Sequence, residues 1–276
     1  MADGFRLPES LRWHDGRLWM SDMDGGAVLV LGTRGPQRVL DLPAQPSGLG
    51  WDPRGRLLVV SQLDARLLRV DGDRATLVAD LAPVMHAHGG DVRPNDMWVA
   101  PDGTAYIGSA SFQVVEGRLV ADDRVPTPLV AVSPAGAVTL LTDELLCPNG
   151  IAPCGPDAIL VAETRSSRLV EVRPGSPTVV REHAPCVAGP DGIALDPAGG
   201  VWAAFPFAGR VQRIAHGGAV LDEIDLGPRI PLDCTLGGPT GDTLFVASVA
   251  EIDHLGSSRT GRVDAYDLTH RQTEEP

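Results

Sequence analysis

A short apolar strand, a tight turn and further strands recur six times along the chain, and this repetition constrains the fold more than any other feature. The copies begin SLRWHDGRLWMSD at Ser10, GLGWDPRGRLLVVSQLDARLLRVD at Gly48, DMWVAPDGTAYIGSA at Asp96, GIAPCGPDAILVAETRSSRLVEVR at Gly150, GIALDPAGGVWAAFPFAGRVQRI at Gly192 and TLGGPTGDTLFVASVA at Thr235. Successive starts lie 38, 48, 54, 42 and 43 residues apart. Several strands in a unit of this length mark a propeller blade, and six copies predict six blades.

Within each copy a DG or PxG links the first two strands as a hairpin. The second strands, such as RLLVVS, AILVAE, GVWAAF and TLFVAS, are nearly continuous apolar runs, which suits strands covered on both faces by neighbouring blades. The last copy has only three strands and ends in GRVDAYDL, so residues 3–7, DGFRL, are expected to supply its fourth strand and close the ring. A β-sandwich or jelly roll is the runner-up, but neither requires six similar segments at this period. The chain therefore reads as one domain over residues 1–276, with a polar tail after residue 269 expected to fray. The two longest spacings hold insertions, DLAPVMHAHGGDVR at 80–93 and FQVVEGRLVADDRVPTP at 112–128, placed on the faces where lids and binding loops form. His86 and His88 in the first insertion read either as solvated loop residues or as part of a lid.

The 32 glycines and 24 prolines agree with many short elements and turns. A net charge of −13 with no basic run argues against nucleic acid and anionic membranes as partners. All 23 cationic residues are arginine, so lysine Schiff bases, Walker-type lysines and Ser–Lys catalysis are excluded. The start lacks the pattern of a signal peptide, and no apolar run reaches the ~18–20 residues that span a bilayer. Cys147, Cys154, Cys186 and Cys234 form no CxxC pair; the expectation is a cytoplasmic chain with reduced thiols, a Cys147–Cys154 bridge being the less favoured alternative.

Superposing the copies brings one position per blade to the start of the innermost strand: Glu9, Ser47, Asn95, Asn149, Asp191 and Cys234. In a propeller these positions converge on the central channel. Four carry hard oxygen donors, and the chain's two asparagines are both among them. Such donors suit a divalent cation, Ca²⁺ first, with Mg²⁺, Mn²⁺ or Zn²⁺ as alternatives, and Glu9 and Asp191 match its charge. Asn149-Gly150 and Asp191-Gly192 also read as hairpin turns, although another DG or PxG already fills that role in each copy. Ser47 and Cys234 read as small cavity-lining residues. The expected fold is thus all-β, a six-bladed β-propeller with four-stranded antiparallel blades and a central metal site.

Pro8-Glu9-Ser10 before RWHDGRLWMSD, RPND at 93–96, CPNGIA around Asn149, GPDGIALD around Asp191 and CTLGGP…DTLFVAS near the end resemble the family of senescence marker protein (regucalcin), bacterial gluconolactonases and luciferin-regenerating enzyme. The resemblance spans nearly the whole chain. It implies one catalytic divalent ion held by Glu9, Asn149 and Asp191, and hydrolysis of a sugar lactone or related cyclic ester. It further implies that Asp191 is the general base and that Arg93 and Asn95 hold substrate. The acidic substrate-binding residue of the family has only Glu116 as a counterpart, and the MHAHGG and Phe205-Pro206-Phe207 segments have no match. Competing readings keep the metal but change the substrate, to an organophosphate-type ester or a ring of secondary metabolism, or make the chain a non-catalytic calcium- or ligand-binding propeller. A serine esterase lacks its Gly-x-Ser-x-Gly elbow.

Overall fold

Apolar second strands become the ribs of six sheets arranged in a ring. The computed structural model describes residues 1–32, 35–72, 74–88, 91–115, 118–121, 125–175, 177–251 and 258–269, with the backbone alone over 112–121. Blade 1 comprises Pro8–His14, Arg17–Asp22, Ala27–Gly32 and Gly35–Asp41, and blade 2 comprises Pro46–Trp51, Leu57–Ser61, Arg66–Asp71 and Arg74–Asp80. Blade 3 holds Asp91–Val99, Ala105–Val115, Thr127–Val132 and Val138–Leu145, and blade 4 holds Pro148–Pro153, Ile159–Glu163, Arg168–Arg173 and Val179–Pro185. Blade 5 is Ile193–Leu195, Val201–Phe205, Arg210–Ile214 and Val220–Asp225. Blade 6 takes Ile230–Gly237, Thr243–Val249 and Gly261–Asp267, and its outer strand is Ala2–Phe5 from the other end of the chain.

That last pairing closes the ring. Ala2 lies opposite Val263 and Asp3 opposite Arg262 in antiparallel register. The buried Asp22 carboxylate then accepts the amides of Arg6 (3.0 Å) and Leu7 (2.9 Å), fixing the crossing from blade 6 to blade 1. The core lies in the seams between blades. Leu58, Val60 and Leu67 of blade 2 pack on Met97, Ile107 and Val130 of blade 3, and Ala162 and Leu169 of blade 4 pack on Ala203 and Phe205 of blade 5. Five consecutive residues of Leu57–Ser61, Ile159–Glu163 and Val201–Phe205 are buried, as strands covered on both faces must be.

Backbone angles separate hairpin turns from channel positions. Asp15 and Gly16 have φ of 48° and 69°, the doubly left-handed pair of a tight hairpin. Gly150 and Gly192 are not left-handed, so Asn149-Gly150 and Asp191-Gly192 are not such turns. They are glycine because inner strands crowd there: a Cβ on Gly150 would stand 2.5 Å from the Asp191 carbonyl oxygen, and one on Gly192 would overlap the Asp233 carboxylate.

The first insertion forms a single helical turn, Ala82–His86, whose Met85 is buried with Leu81 in the seam of blades 2 and 3. His88 is tied down, with Nδ1 2.8 Å from the Val84 carbonyl and Nε2 3.3 Å from Asp143 on the outer strand of blade 3, whereas His86 is exposed. The second insertion lengthens the second strand of blade 3 and pairs Phe112–Val115 with Arg118–Ala121 beyond the end of the blade. It rises from the end of the ring where the inner strands begin. The tail after residue 269 and Glu116 lie outside the described residues. All four cysteines are unbridged. No helix among the described residues is long and apolar enough to cross a membrane.

Candidate active site

Every blade has a proline at or near the start of its inner strand: Pro8, Pro46, Pro94, Pro148, Pro190 and Pro231. Immediately past it, the pairing of inner and second strand slips by a residue in blades 1, 2, 3, 4 and 6. Such a bulge re-aims the residue it carries, here towards the channel. In blade 1 the kink leaves Ser10 left-handed at φ 49°, held by its hydroxyl on Asp96 (3.1 Å).

This register corrects the position assigned to blade 6. The residue after the proline is Glu9, Ser47, Asn95, Asn149 and Asp191 in blades 1 to 5 but Leu232 in blade 6. Cys234 faces Val246 as Met97 faces Ile107 and Ile151 faces Val161, so it occupies a core position two residues further on. Its thiol is completely buried, 3.7 Å from the Gly192 carbonyl and 3.6 Å from that of Trp202. With the apolar Leu232 at that position, the sixth blade gives an alignment by polar motif nothing to fix on.

Gln62 of blade 2 and the ring residues of blades 3, 4 and 5 form one directional chain of hydrogen bonds. Gln62 Nε2 donates to Asn95 Oδ1 (3.2 Å), Asn95 Nδ2 donates to Asn149 Oδ1 (2.9 Å), and Asn149 Nδ2 donates to Asp191 Oδ1. Thr164, from the end of the second strand of blade 4, receives the Asn149 amide at 3.4 Å and donates to the Pro190 carbonyl at 2.7 Å. Ser47 turns its hydroxyl onto the Asn95 carbonyl (2.8 Å) as a strut. Glu9 belongs to blade 1, and its strongest charged neighbour is Asp191. Burial, then Asp191, Asp233 and Asp96, push the Glu9 carboxyl well above the usual range; burial, then Asp233 and Asp96, do the same to Asp191, against an opposing pull from Arg165.

Beneath the ring lies an ionic plug that motif reading missed. Arg12 Nη2 donates to Asp96 Oδ1 (2.7 Å) and to the Met97 carbonyl (2.7 Å), and its Nη1 lies 3.6 Å from Asp233 Oδ2. Asp233 also receives the amides of Leu11 and of Cys234 (2.8 Å), joining blade 6 to blade 1. Burial raises the Asp233 carboxyl to about 7, and the opposing effect of Arg12 does not cancel it. For Arg12, desolvation lowers the guanidinium, but Asp96 and Asp233 outweigh it and the net shift is upward. Glu9, Asp96, Asp191 and Asp233 thus share the channel with Arg12 as the guanidinium in their midst. Within one copy of the repeat Asp96 and Asp233 look like turn residues, and nothing there signals that they meet.

Arg93 lies two residues before Asn95 on the same strand, half-buried, with its fork on Asp91 (Nε to Oδ1 2.8 Å). Arg165, for which the sequence gave no signal, follows Thr164 and sets its guanidinium 5.3 Å from the centre of the exposed Phe207 ring. Phe205 is fully buried in blade 5, so the FPF segment divides between core and surface.

Residues 7–250 match the family described as the SMP-30/Gluconolactonase/LRE-like region. A 6-deoxy-6-sulfogluconolactonase of Pseudomonas putida is 29% identical over 244 residues, covering 85% of this chain and 79% of that one. Among solved structures, a luciferin-regenerating enzyme superposes with a TM-score of 0.78 at 17% identity, over 97% of this chain and 93% of the other. The calcium-binding protein regucalcin of Agrobacterium tumefaciens gives 0.74 at 20% identity, over 94% and 90%. At such identities the superpositions establish the propeller alone.

Proposed function

Because the chain belongs to the SMP-30/Gluconolactonase/LRE-like family, we propose that it is a divalent-cation-dependent lactonase acting on sugar lactones. What supports this reading is the hydrogen bond from Asn149 of blade 4 to Asp191 of blade 5, together with the repulsion that Asp191 exerts on Glu9 of blade 1, both carboxyls being pushed upward chiefly by burial. The four buried or half-buried acids around Arg12 leave an excess of negative charge that a divalent cation would neutralise, and an all-oxygen donor set suits Ca²⁺, Mg²⁺ or Mn²⁺. Glu9, Asn149 and Asp191 would hold it, the amide of Asn149 turning its oxygen inward in place of the bond it donates to Asp191. When bound, such an ion supplies electrophilic stabilisation of a carbonyl oxygen.

The remaining work falls to the chain. Asp191 accepts the proton of the attacking water and returns it to the leaving alkoxide; a carboxylate beside a divalent cation is a modest base, which suits an activated ester such as a lactone. Asn95, held between Gln62 and Asn149, presents a fixed amide to the substrate. Arg93, preset by Asp91, orients oxygen substituents through its fork. Beside the Arg12 guanidinium already paired with acids, Arg93 and Arg165 would add two more, an arrangement that favours a lactone bearing an anionic group, as the name of the P. putida relative describes for that enzyme.

The test is a panel of aldono-lactones of different ring size, with and without a sulfonate, followed by proton release on metal-reconstituted protein. Turnover of at least one member is expected, falling by about 10²–10⁴-fold in Asp191→Asn. No turnover of any cyclic ester with the ion bound, or an unaffected variant, overturns the reading.

A further inference from the structure

A second cluster of ligating side chains lies far from the channel ring. Cys154 sits in the turn that ends the inner strand of blade 4, its amide on the Ala158 carbonyl (2.9 Å). Glu171 is on the third strand and His183 on the outer strand of the same blade. The register pairs Glu171 with Leu160 and with Arg181, which puts it on the face that packs on blade 5, and His183, at the bulge between Glu182 and Ala184, lies against His216 of that blade. One ligand atom from each of Cys154, Glu171 and His183 lies within 4.8 Å of the other two.

We propose that Cys154, Glu171 and His183 form a second metal site, in the seam of blades 4 and 5, that takes a borderline-soft divalent cation of the Zn²⁺ class. A thiolate, an imidazole and a carboxylate are the donors Zn²⁺ prefers, whereas the channel ring offers oxygen only. Both ring nitrogens of His183 are shut off from solvent without a hydrogen-bond partner, and Glu171 Oε1 is likewise buried without one, although Arg173 Nη2 lies 2.5 Å from it as a charge partner. An imidazole with two empty buried nitrogens is costly, and coordination gives one lone pair a partner. Burial and the nearby His216 hold His183 in the neutral form that ligates. His216, on the turn after the third strand of blade 5, lies edge-on with its ring centre 4.7 Å from that of His183, and the next residue, Gly217, donates its amide to the His183 carbonyl (3.0 Å). The blade seam thus brings a fourth donor to the cluster's edge. On loading, Cys154 exchanges its S–H bond for a metal–sulfur bond and one proton passes to solvent. Cys154 stands five residues beyond Asn149 on one strand, about 16 Å at about 3.3 Å per residue, so the two sites do not share a ligand.

The test strips purified protein with a chelator and titrates it with Co²⁺ and Zn²⁺. Wild type and Asp191→Asn are both expected to develop the near-ultraviolet thiolate-to-cobalt band, and to take up one Zn²⁺ tightly in competition with a chromophoric chelator. Cys154→Ser is expected to lose the band, and His183→Gln to bind Zn²⁺ at least about 10-fold more weakly, both with unchanged circular dichroism. Absence of the band in wild type overturns the proposal, as does a band that survives Cys154→Ser. Loss of the band in Asp191→Asn alone assigns the ion to the channel and overturns it too.

Discussion

Replacing Arg12 by methionine removes the guanidinium from the channel plug while keeping most of the length of its stem. The Arg12 side chain is 17% exposed, against 9% for Asp96 and 1% for Asp233, so little solvent is at hand to take over its role. Breaking a buried ion pair on one side costs about 3–5 kcal/mol, mainly through the charge left behind. Here two acids are left, but they do not weigh equally. Asp233 already titrates at about 7, so near neutrality much of it escapes by taking up a proton, and Asp96 carries most of the loss. The expected destabilisation is therefore about 3 kcal/mol at neutral pH, growing as the pH rises above 7 and Asp233 becomes fully charged. Guanidinium denaturation in the presence of chelator, with the m-value checked against wild type, measures it. The rim pair Arg38–Asp41, with side chains 56% and 75% exposed, is the control: Arg38→Met should cost less than about 1 kcal/mol at any pH. A loss in Arg12→Met below about 1 kcal/mol, or one that does not grow with pH, refutes the view that this guanidinium holds two buried acids.

Asp233 alone makes a related prediction: its folded pKa of about 7 stands above its ordinary 3.8, so the stability it contributes is complete below 3.8 and is lost as the pH rises through about 7. The unfolding free energy of ion-depleted protein should fall over that window, and Asp233→Asn should flatten the slope. Gly192→Ala places a methyl group against the Asp233 carboxylate and should lower stability by about 1–3 kcal/mol in the same denaturation assay. Arg93→Met removes a fork that orients substrate, and should raise KM for a hydrolysed lactone about 10-fold, or about 1.4 kcal/mol, with a smaller effect on kcat in steady-state kinetics.

Those residues also mark what can be read from sequence. The blades were legible because each second strand must be apolar on both faces and each hairpin needs its Asp-Gly or Pro-x-Gly turn, constraints that act within a few residues. Closure by the first strand was legible because a three-stranded last copy leaves an edge to cover. Asn95, Asn149 and Asp191 stood out because polar side chains at matching positions of a repeat must converge. The sixth blade was misplaced because its ring residue is the apolar Leu232, and the better guide was the proline that precedes the ring residue in all six copies. Asp96, Arg12 and Asp233 were not legible as a unit, since their meeting depends on three blades and on a bulge that turns Ser10 left-handed. Arg165 escaped notice because it reaches its neighbours from the end of a second strand, and Cys154, Glu171 and His183 lie on three strands whose register the sequence does not specify.

Whether Glu9, Asn149 and Asp191 share one divalent ion is measured most directly by calorimetric titration of chelator-stripped protein with Ca²⁺, a hard cation that the thiolate cluster does not favour. The prediction is one equivalent bound by wild type and by Cys154→Ser, and none at the same concentrations by Glu9→Gln or Asp191→Asn. Undiminished Ca²⁺ binding by both channel variants, or none by wild type, contradicts it.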